Sequence, residues 1–276
     1  MAQPDLLRSH LHALPTVQII YTDLDGTLLG QGGALLKDAQ GRPTISPAAA
    51  LVAAARRGVA IVAVSGRRAA SLQQDVRLLG LDGAIAEIGT VIIRDGEHHF
   101  EWGQCPPDLA DSPRAALQKA GALTILMDHF DGQLRSYQPW DAGREGGYLL
   151  HGRASVAAAN EVLETAGIGW AKIIDNGRTG GWEGRDDVHA YHLVPRGTGK
   201  AAALADDLRD RGLTADMAMA IGDSVEDQTM AKEVGTYVIV ANGHGEEGDN
   251  RFRVRGRNGD GVADAITAAL DAGNGG

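Results

Sequence analysis

The sequence predicts an α/β protein, a mostly parallel sheet with helices on both faces, interrupted by an α+β insertion. Three observations predict it. Short, near-continuous apolar runs alternate with helical stretches over the first ninety residues, the pattern of strands buried on both faces. Near residue 95 the texture changes: turn residues and aromatics thicken, and all four tryptophans fall between residues 102 and 182. Near residue 190 the first texture returns and holds to the end. The expected division is therefore a core of residues 1–95 plus 190–276 and an inserted unit of residues 96–189.

Each element has its own signal. VQIIY (17–21) is apolar and largely β-branched and ends on polar turn residues, which predicts a buried strand. GQGGALLKDAQGRPTIS after it reads as a loop or short flap. Ser46-Pro47 opens AAALVAAARR and Gly58 closes it, an N-cap, a first-turn proline and a terminal glycine that predict a helix. GVAIVAVSGR (58–67) is a second strand with a polar tip, and RAASLQQDVRLLG a helix that stops at Gly80. DGAIAEIGTVII (82–93) gives a third strand, a turn and a fourth. In the insertion, ALTILMDHF and AKIIDNG read as strands around a helix in ASVAAANEVLETAG. After HAYHLVP come a helix (GKAAALADDLRDRG), a strand (AMAIGD), a helix (EDQTMAKEVG), a strand (TYVIVAN) and a closing helix (DGVADAITAALDAG).

The 276 residues are 43% hydrophobic and 22% charged, enough for a core that needs no staples. The net charge of −10 argues against non-specific nucleic-acid binding, which needs a basic surface. It leaves anionic small molecules open, because a site can be locally positive or carry a metal. The one cysteine, Cys105, rules out an intrachain disulfide and favours a reducing, cytoplasmic setting. No apolar stretch is long enough for a bilayer, and MAQPDLLRSHLHALP lacks the pattern of a secretory signal. No membrane partner is expected, and the oligomeric state is not legible.

Four polar clusters stand where a strand ends or a helix begins: Asp23/Asp25/Thr27, Ser65-Gly66-Arg67, Lys200, and Gly222-Asp223-Ser224 with Asp227. In an open α/β sheet the carboxyl ends of the strands are where ligands bind, so these clusters are expected to meet at one rim. Asp23 and Asp25 are two residues apart and point the same way in an extended chain, so they repel unless a cation or a proton intervenes. Three carboxylates (Asp23, Asp25, Asp223) with a lysine and a serine suit Mg2+ and a phosphoryl group, since magnesium takes oxygen ligands and often shares its shell with phosphate. Ser65 and the backbone N–H groups from Gly66 on can hold phosphate oxygens, with Thr27 counted among the phosphate-binding groups, and Lys200 can neutralise charge. Aspartate is a competent nucleophile toward phosphorus, and a second carboxylate can protonate the leaving oxygen and later deprotonate water.

With DLDGT, a strand ending in SGR, a lysine opening a helix, and GDSVED in this order, the chain resembles the haloacid dehalogenase-like phosphatases across essentially its whole length. The insertion between SGR and the lysine resembles the α/β (C2-type) cap of the subgroup with Cof-like, sucrose-phosphatase-like and mannosyl-3-phosphoglycerate-phosphatase-like enzymes. The resemblance implies a Rossmann-like core and a magnesium-dependent phosphatase acting on a small-molecule phosphate ester, a sugar phosphate or glycosyl-phosphoglycerate. It further implies that Asp23 is nucleophile and metal ligand, and that Asp25 is the acid/base with its backbone carbonyl on the metal. Ser65 and Lys200 hold the phosphoryl group, Asp223 ligates magnesium, and Asp227 supports the lysine or the metal shell. Two positions depart from the subgroup: Glu226 where asparagine is common before the last aspartate, and Ile88 where Glu-Asn-Gly is frequent.

Other features read as structural. GQGG (30–33) lacks the dinucleotide spacing, and RGTGKA lacks the first glycine and the Ser/Thr of a phosphate-binding P-loop. Arg67 and Arg68 are expected to cover a helix start or face solvent, and Ser65 doubles as a candidate N-cap. His189 and His192 are expected in a strand near the junction, the insertion's tryptophans in its core, and Cys105 inert. Arg144, Arg178 and Arg185 sit in glycine-rich loops, either as solvated turns or facing the rim. Arg144 or Arg178 is expected to bind a second anionic group of the substrate. A phosphosugar mutase with the same site, and a non-catalytic scaffold, are the alternative readings.

Overall fold

The computed structural model describes residues 3–182 and 184–273. Among them the elements run α1 (Gln3–His12), β1 (Ile19–Asp23), α2 (Ser46–Arg56), β2 (Ala60–Val64), α3 (Ala69–Leu79), β3 (Gly83–Ala86), β4 (Val91–Arg94) and β5 (Glu97–Phe100). Then follow α4 (Pro113–Lys119), α5 (Ala122–His129), β6 (Leu134–Ser136), β7 (Tyr148–Gly152), α6 (Val156–Thr165), β8 (Ala171–Thr179) and β9 (Val188–Pro195). The chain closes with α7 (Lys200–Asp210), β10 (Ala218–Gly222), β11 (Thr236–Ile239), β12 (Arg251–Arg253) and α8 (Asn258–Ala272).

The strands form two sheets. The larger has the order β12-β11-β10-β1-β2-β3-β4-β5, and the smaller β6-β7-β9-β8. From β12 to β3 every neighbour is parallel, while β4 and β5 join as antiparallel hairpins at one edge. The α/β prediction therefore holds. Alternation along β1 sends Ile20 to one face, among Leu7, Leu51, Leu72 and Ile266, and Ile19 and Tyr21 to the other, among Leu204, Leu208 and Met230. Two apolar layers, one per face, are what a parallel sheet needs. The small sheet is antiparallel, and α4, α5 and α6 cover one of its faces through Leu117, Leu126, Leu150, Leu163 and Leu193. The strands of the large sheet stop at Phe100 and resume at Ala218, while those of the small sheet lie between Leu134 and Pro195.

Several local expectations change. ALTILMDHF, read as a strand, is the helix α5. Its buried residues are Ala122 and Leu126, four apart, with Leu123 and Ile125 partly buried beside them, so helical spacing prevails in a run too short for periodicity to decide. EDQTMAKEVG forms a 3-10 turn over Asp227–Lys232, where the Thr229 hydroxyl donates to the Glu226 carbonyl (2.7 Å). Ser46 is not the N-cap of α2: Ile45 occupies that place, and Ser46 N–H donates to Thr44 Oγ1 (3.2 Å). Nor does Ser65 cap α3, whose N-cap is Arg68. The helix α1 was not foreseen; it lays Leu7 and Leu11 into the core beside α8. No described helix is long and apolar enough to cross a membrane.

Candidate active site

The parallel strands β1, β2 and β10 end side by side, and their tips carry the first, second and fourth clusters. The lysine arrives on the first turn of α7. That helix is fixed beneath the sheet by Asp207, fully buried, whose carboxylate accepts from Tyr21 Oη (2.8 Å) on β1 and pairs with Arg94 and Arg211. Lys200 Nζ then donates to Asp23 Oδ1 (3.0 Å) and Asp227 Oδ1 (2.6 Å), with all three side chains buried. The distant segments expected to converge thus meet through Lys200, Asp23 and Asp227.

Asp227 is oriented by Ser224, whose backbone N–H (3.0 Å) and hydroxyl (2.7 Å) donate to its second oxygen. Asp223 accepts from Thr27 Oγ1 (2.9 Å), so Thr27 holds a carboxylate in the structure, where the sequence reading counted it toward phosphate. Gly26 is required here: its φ is +92°, and a Cβ would stand 2.5 Å from Asp223 Oδ2. Its carbonyl accepts from Asn242 Nδ2 and Asn258 Nδ2, each at 2.8 Å.

Carboxylate oxygens of Asp23, Asp223 and Asp227 lie within 4.8 Å of one another. Burial, against the pull of Lys200, and with Asp227 and Asp223 beside it, pushes the Asp23 carboxyl up to about 7. Asp223 is raised for the same first reason, burial. Asp227 is buried too, but Lys200 and Ser224 hold it below the usual range. Lys200 is raised by Asp23 and Asp227 despite its own burial. Three clustered carboxylates facing one ammonium leave negative charge uncompensated, and the donors are all hard oxygens. That set fits a divalent cation such as magnesium.

Asp25 departs from the expected pairing. The strand ends at Asp23, and the Asp25 side chain, 55% exposed, turns to Arg67. Arg67 Nη2 and Nε donate to its two oxygens (2.6 and 2.8 Å), and Nη1 donates to Asp75 (2.8 Å). Arg67, partly exposed, is thus tied both to the second aspartate of the motif and to Asp75 on α3, whose start it precedes. Ser65 Oγ accepts from Arg67 N–H (3.2 Å), and Ser65 and Gly66 line the same cavity as Asp23 and Asp25.

That cavity has a volume of about 700 Å3 and lies between the rim of the large sheet and the open face of the small one. Its far wall includes Tyr137, Leu149, Arg178, Ala190 and His192. Arg144 and Arg178 both reach it, in different ways. Arg144 is buried, and donates from Nη2 to Gly66 O (2.8 Å) and from Nε to Trp140 O (3.2 Å). Arg178 is exposed at the end of β8. Arg185 instead stacks on Trp182, outside the cavity. Trp140 is 59% exposed and lines the cavity, against its expected place in the insertion's core, whereas Trp170 packs on that core. His189 and His192 both lie in β9.

Glu87, in the departed Glu-Ile-Gly turn, was missed. Its backbone and that of Ile88 are left-handed (φ 52° and 59°), and its buried carboxylate accepts from Ala69 N–H (3.1 Å), Glu145 N–H (3.2 Å) and Gly146 N–H (3.0 Å). It joins the start of α3 to the segment entering β7. The signal available in the sequence was an acidic residue placed between an apolar strand and a glycine. Cys105 is buried, and burial pushes its thiol up to about 11, as expected of an inert cysteine.

Comparison with known proteins bears on the same segments. Residues 185–266 match the family model described as haloacid dehalogenase-like hydrolase. No curated protein sequence matches the chain. Among solved structures, Thermoplasma acidophilum 0175 aligns with TM-score 0.65 at 17% identity, covering 93% of this chain and 99% of that one. BT1666 from Bacteroides thetaiotaomicron, described among phosphatases of the haloalkanoate (HAD) enzyme superfamily, aligns with TM-score 0.64 at 19% identity, covering 92% and 96%. The sucrose-phosphatase of Synechocystis sp. PCC6803, solved with sucrose and phosphate, aligns with TM-score 0.61 at 19% identity, covering 92% and 98%. These likenesses extend over nearly the whole chain and concern the fold.

Proposed function

We propose that the chain is a haloacid dehalogenase-like protein and a magnesium-dependent phosphatase of small phosphomonoesters. The observation that carries the reading is the cluster of Asp23, Asp223 and Asp227 around Lys200 at the floor of a cavity of about 700 Å3. A phosphate alone would leave most of that space empty, so the substrate is an ester with a sizeable leaving group. A sugar phosphate or a glycosyl-phosphoglycerate fits both the volume and a wall that mixes apolar and polar side chains. The exposed Arg178 is the group available for a second acid, because the guanidinium of Arg144 already serves two carbonyl oxygens.

Asp23, Asp223 and Asp227 would hold the magnesium ion, which supplies charge neutralisation between carboxylates and phosphoryl oxygens. Lys200 and Ser65 hold the phosphoryl group from the core side. An oxygen of Asp23 forms a bond to phosphorus while the bond from phosphorus to the ester oxygen breaks, and Asp25 gives that oxygen its proton. Water then attacks the acyl phosphate, Asp25 takes the water's proton, and phosphate leaves with Asp23 restored. For this work Asp25 must rotate from Arg67 toward the cavity that both line.

The test is a screen of sugar phosphates, nucleotides, cofactor phosphates and phosphoglycerate esters with and without Mg2+, alongside Asp23→Asn. An amide is a poor nucleophile and a poor ligand, so the variant loses nearly all turnover. Activity retained in Asp23→Asn, or no turnover of any ester by the wild type, would reject the reading.

A further inference from the structure

We infer that His192 reads a hydroxyl group on the leaving group of the substrate. The inference rests on the phosphatase reading above and names a specificity-determining residue for it.

His192 lies on β9, where side chains alternate. Tyr191 and Leu193 enter the core beneath α4–α6, and Ala190 and His192 face the cavity. His192 is 2% exposed as a residue, yet neither ring nitrogen has a hydrogen-bond partner among the described residues. Its Nε2 lies 3.9 Å from where a Cβ on Gly66 would stand, beside the loop expected to hold phosphate. A buried polar ring without a partner, lining the cavity of the candidate site, points to a ligand atom as the missing partner.

The kind of partner follows from charge. Burial, then Arg144 and Lys200, hold the imidazole well below its usual range, so it is neutral at physiological pH. A neutral imidazole donates from one nitrogen and accepts at the other, as a hydroxyl also does, whereas a phosphoryl oxygen only accepts. Phosphoryl oxygens already have Lys200 and Ser65 as their expected donors. Leu149, Ala190 and the exposed Trp140 give the carbon skeleton an apolar flank next to the ring. The substrate class is thus a polyhydroxylated phosphate ester.

The experiment compares glycerol 1-phosphate with n-propyl phosphate, which lacks the hydroxyls, in the wild type, His192→Phe and His192→Asn. The wild type is expected to favour glycerol 1-phosphate in kcat/KM. His192→Phe should shrink that preference about tenfold, the worth of one neutral hydrogen bond, chiefly through KM. His192→Asn, which keeps a donor and an acceptor, should restore part of it, and the circular dichroism of both variants should match the wild type. If the two esters fall equally in His192→Phe, or the preference survives unchanged, the inference is wrong while the phosphatase reading stands. If the wild type hydrolyses neither these esters nor any other in the screen, the phosphatase reading itself has failed.

Discussion

At the scale of single residues, the informative contrast is between Asp23 and Asp25. Asp23 is sealed against Lys200 in the carboxylate cluster, and Asp25 rests on Arg67. Spacing alone predicted that both would point one way, but the chain leaves the extended conformation at Asp23, and the alternation rule stops with it. Arg67 was legible as a letter of the SGR motif and not as a partner of Asp25, because the pairing spans two strand ends that only folding brings together. It also gives a prediction. Asp25 must leave Arg67 to act, so Arg67→Ala should raise kcat on an alkyl phosphate and change it less on p-nitrophenyl phosphate, whose leaving oxygen needs little protonation. Asp25→Asn should cost about 10²–10⁴ in kcat on the alkyl ester. A fall in kcat, or equal changes on both esters, in Arg67→Ala would show that Arg67 acts on something other than proton delivery.

At the scale of elements, strands ending in polar tips were readable because the core strands are apolar and bounded by turn residues. What failed was the short amphipathic piece 122–130, where an eight-residue helix and a strand share one composition. The contacts joining elements were invisible for another reason: Glu87 links α3 to the segment before β7 over about sixty positions of sequence. Replacing Glu87 by Ala would leave three backbone N–H groups buried without an acceptor. Unfolding titration should show a loss of about 2–4 kcal/mol. A loss under about 0.5 kcal/mol would mean the three donors find other partners.

A pH effect is expected between β5 and α7. Just after β5, Glu101 is pushed up to about 7 by burial and by its hydrogen bond and repulsion with Asp206 on α7. A carboxyl raised in the folded state binds its proton more tightly there than in the unfolded chain. Its stabilisation is therefore present below about pH 4.5, the ordinary glutamate value, and is lost as pH rises toward about 7. Because the group is half exposed, water and salt discount the effect, and it should amount to no more than about 1 kcal/mol. Tm measured from pH 5 to 8 should decline less steeply in Glu101→Gln than in the wild type. Identical slopes would contradict the assignment.

At the scale of the whole molecule, the parallel sheet brings strand tips together, the small sheet lies across them, and the cavity between supplies the site. We propose that the two sheets mark two domains, as the change of texture near residues 95 and 190 predicts. The architecture was legible because composition changes with it, and the clusters were legible because chemistry at strand ends is conspicuous. The cavity wall was less so: Trp140 and His192 reach it, and Glu87 ties α3 to the segment before β7, only once the chain has packed. If magnesium binds the native cluster and not the unfolded chain, Tm should rise with Mg2+ and return to its starting value with a chelator, by the linkage of binding to folding. Asp223→Asn should show little of that rise; a full rise in the variant would place the ion elsewhere.

The central claim is that Asp23 attacks phosphorus, and acid quenching of the enzyme during turnover tests it most directly. With Mg2+ and p-nitrophenyl phosphate labelled in its phosphoryl group, peptide mapping should place the label on Asp23 and on no residue in Asp23→Asn. Label on another residue, or turnover without any labelled protein under conditions that preserve acyl phosphates, would contradict the account.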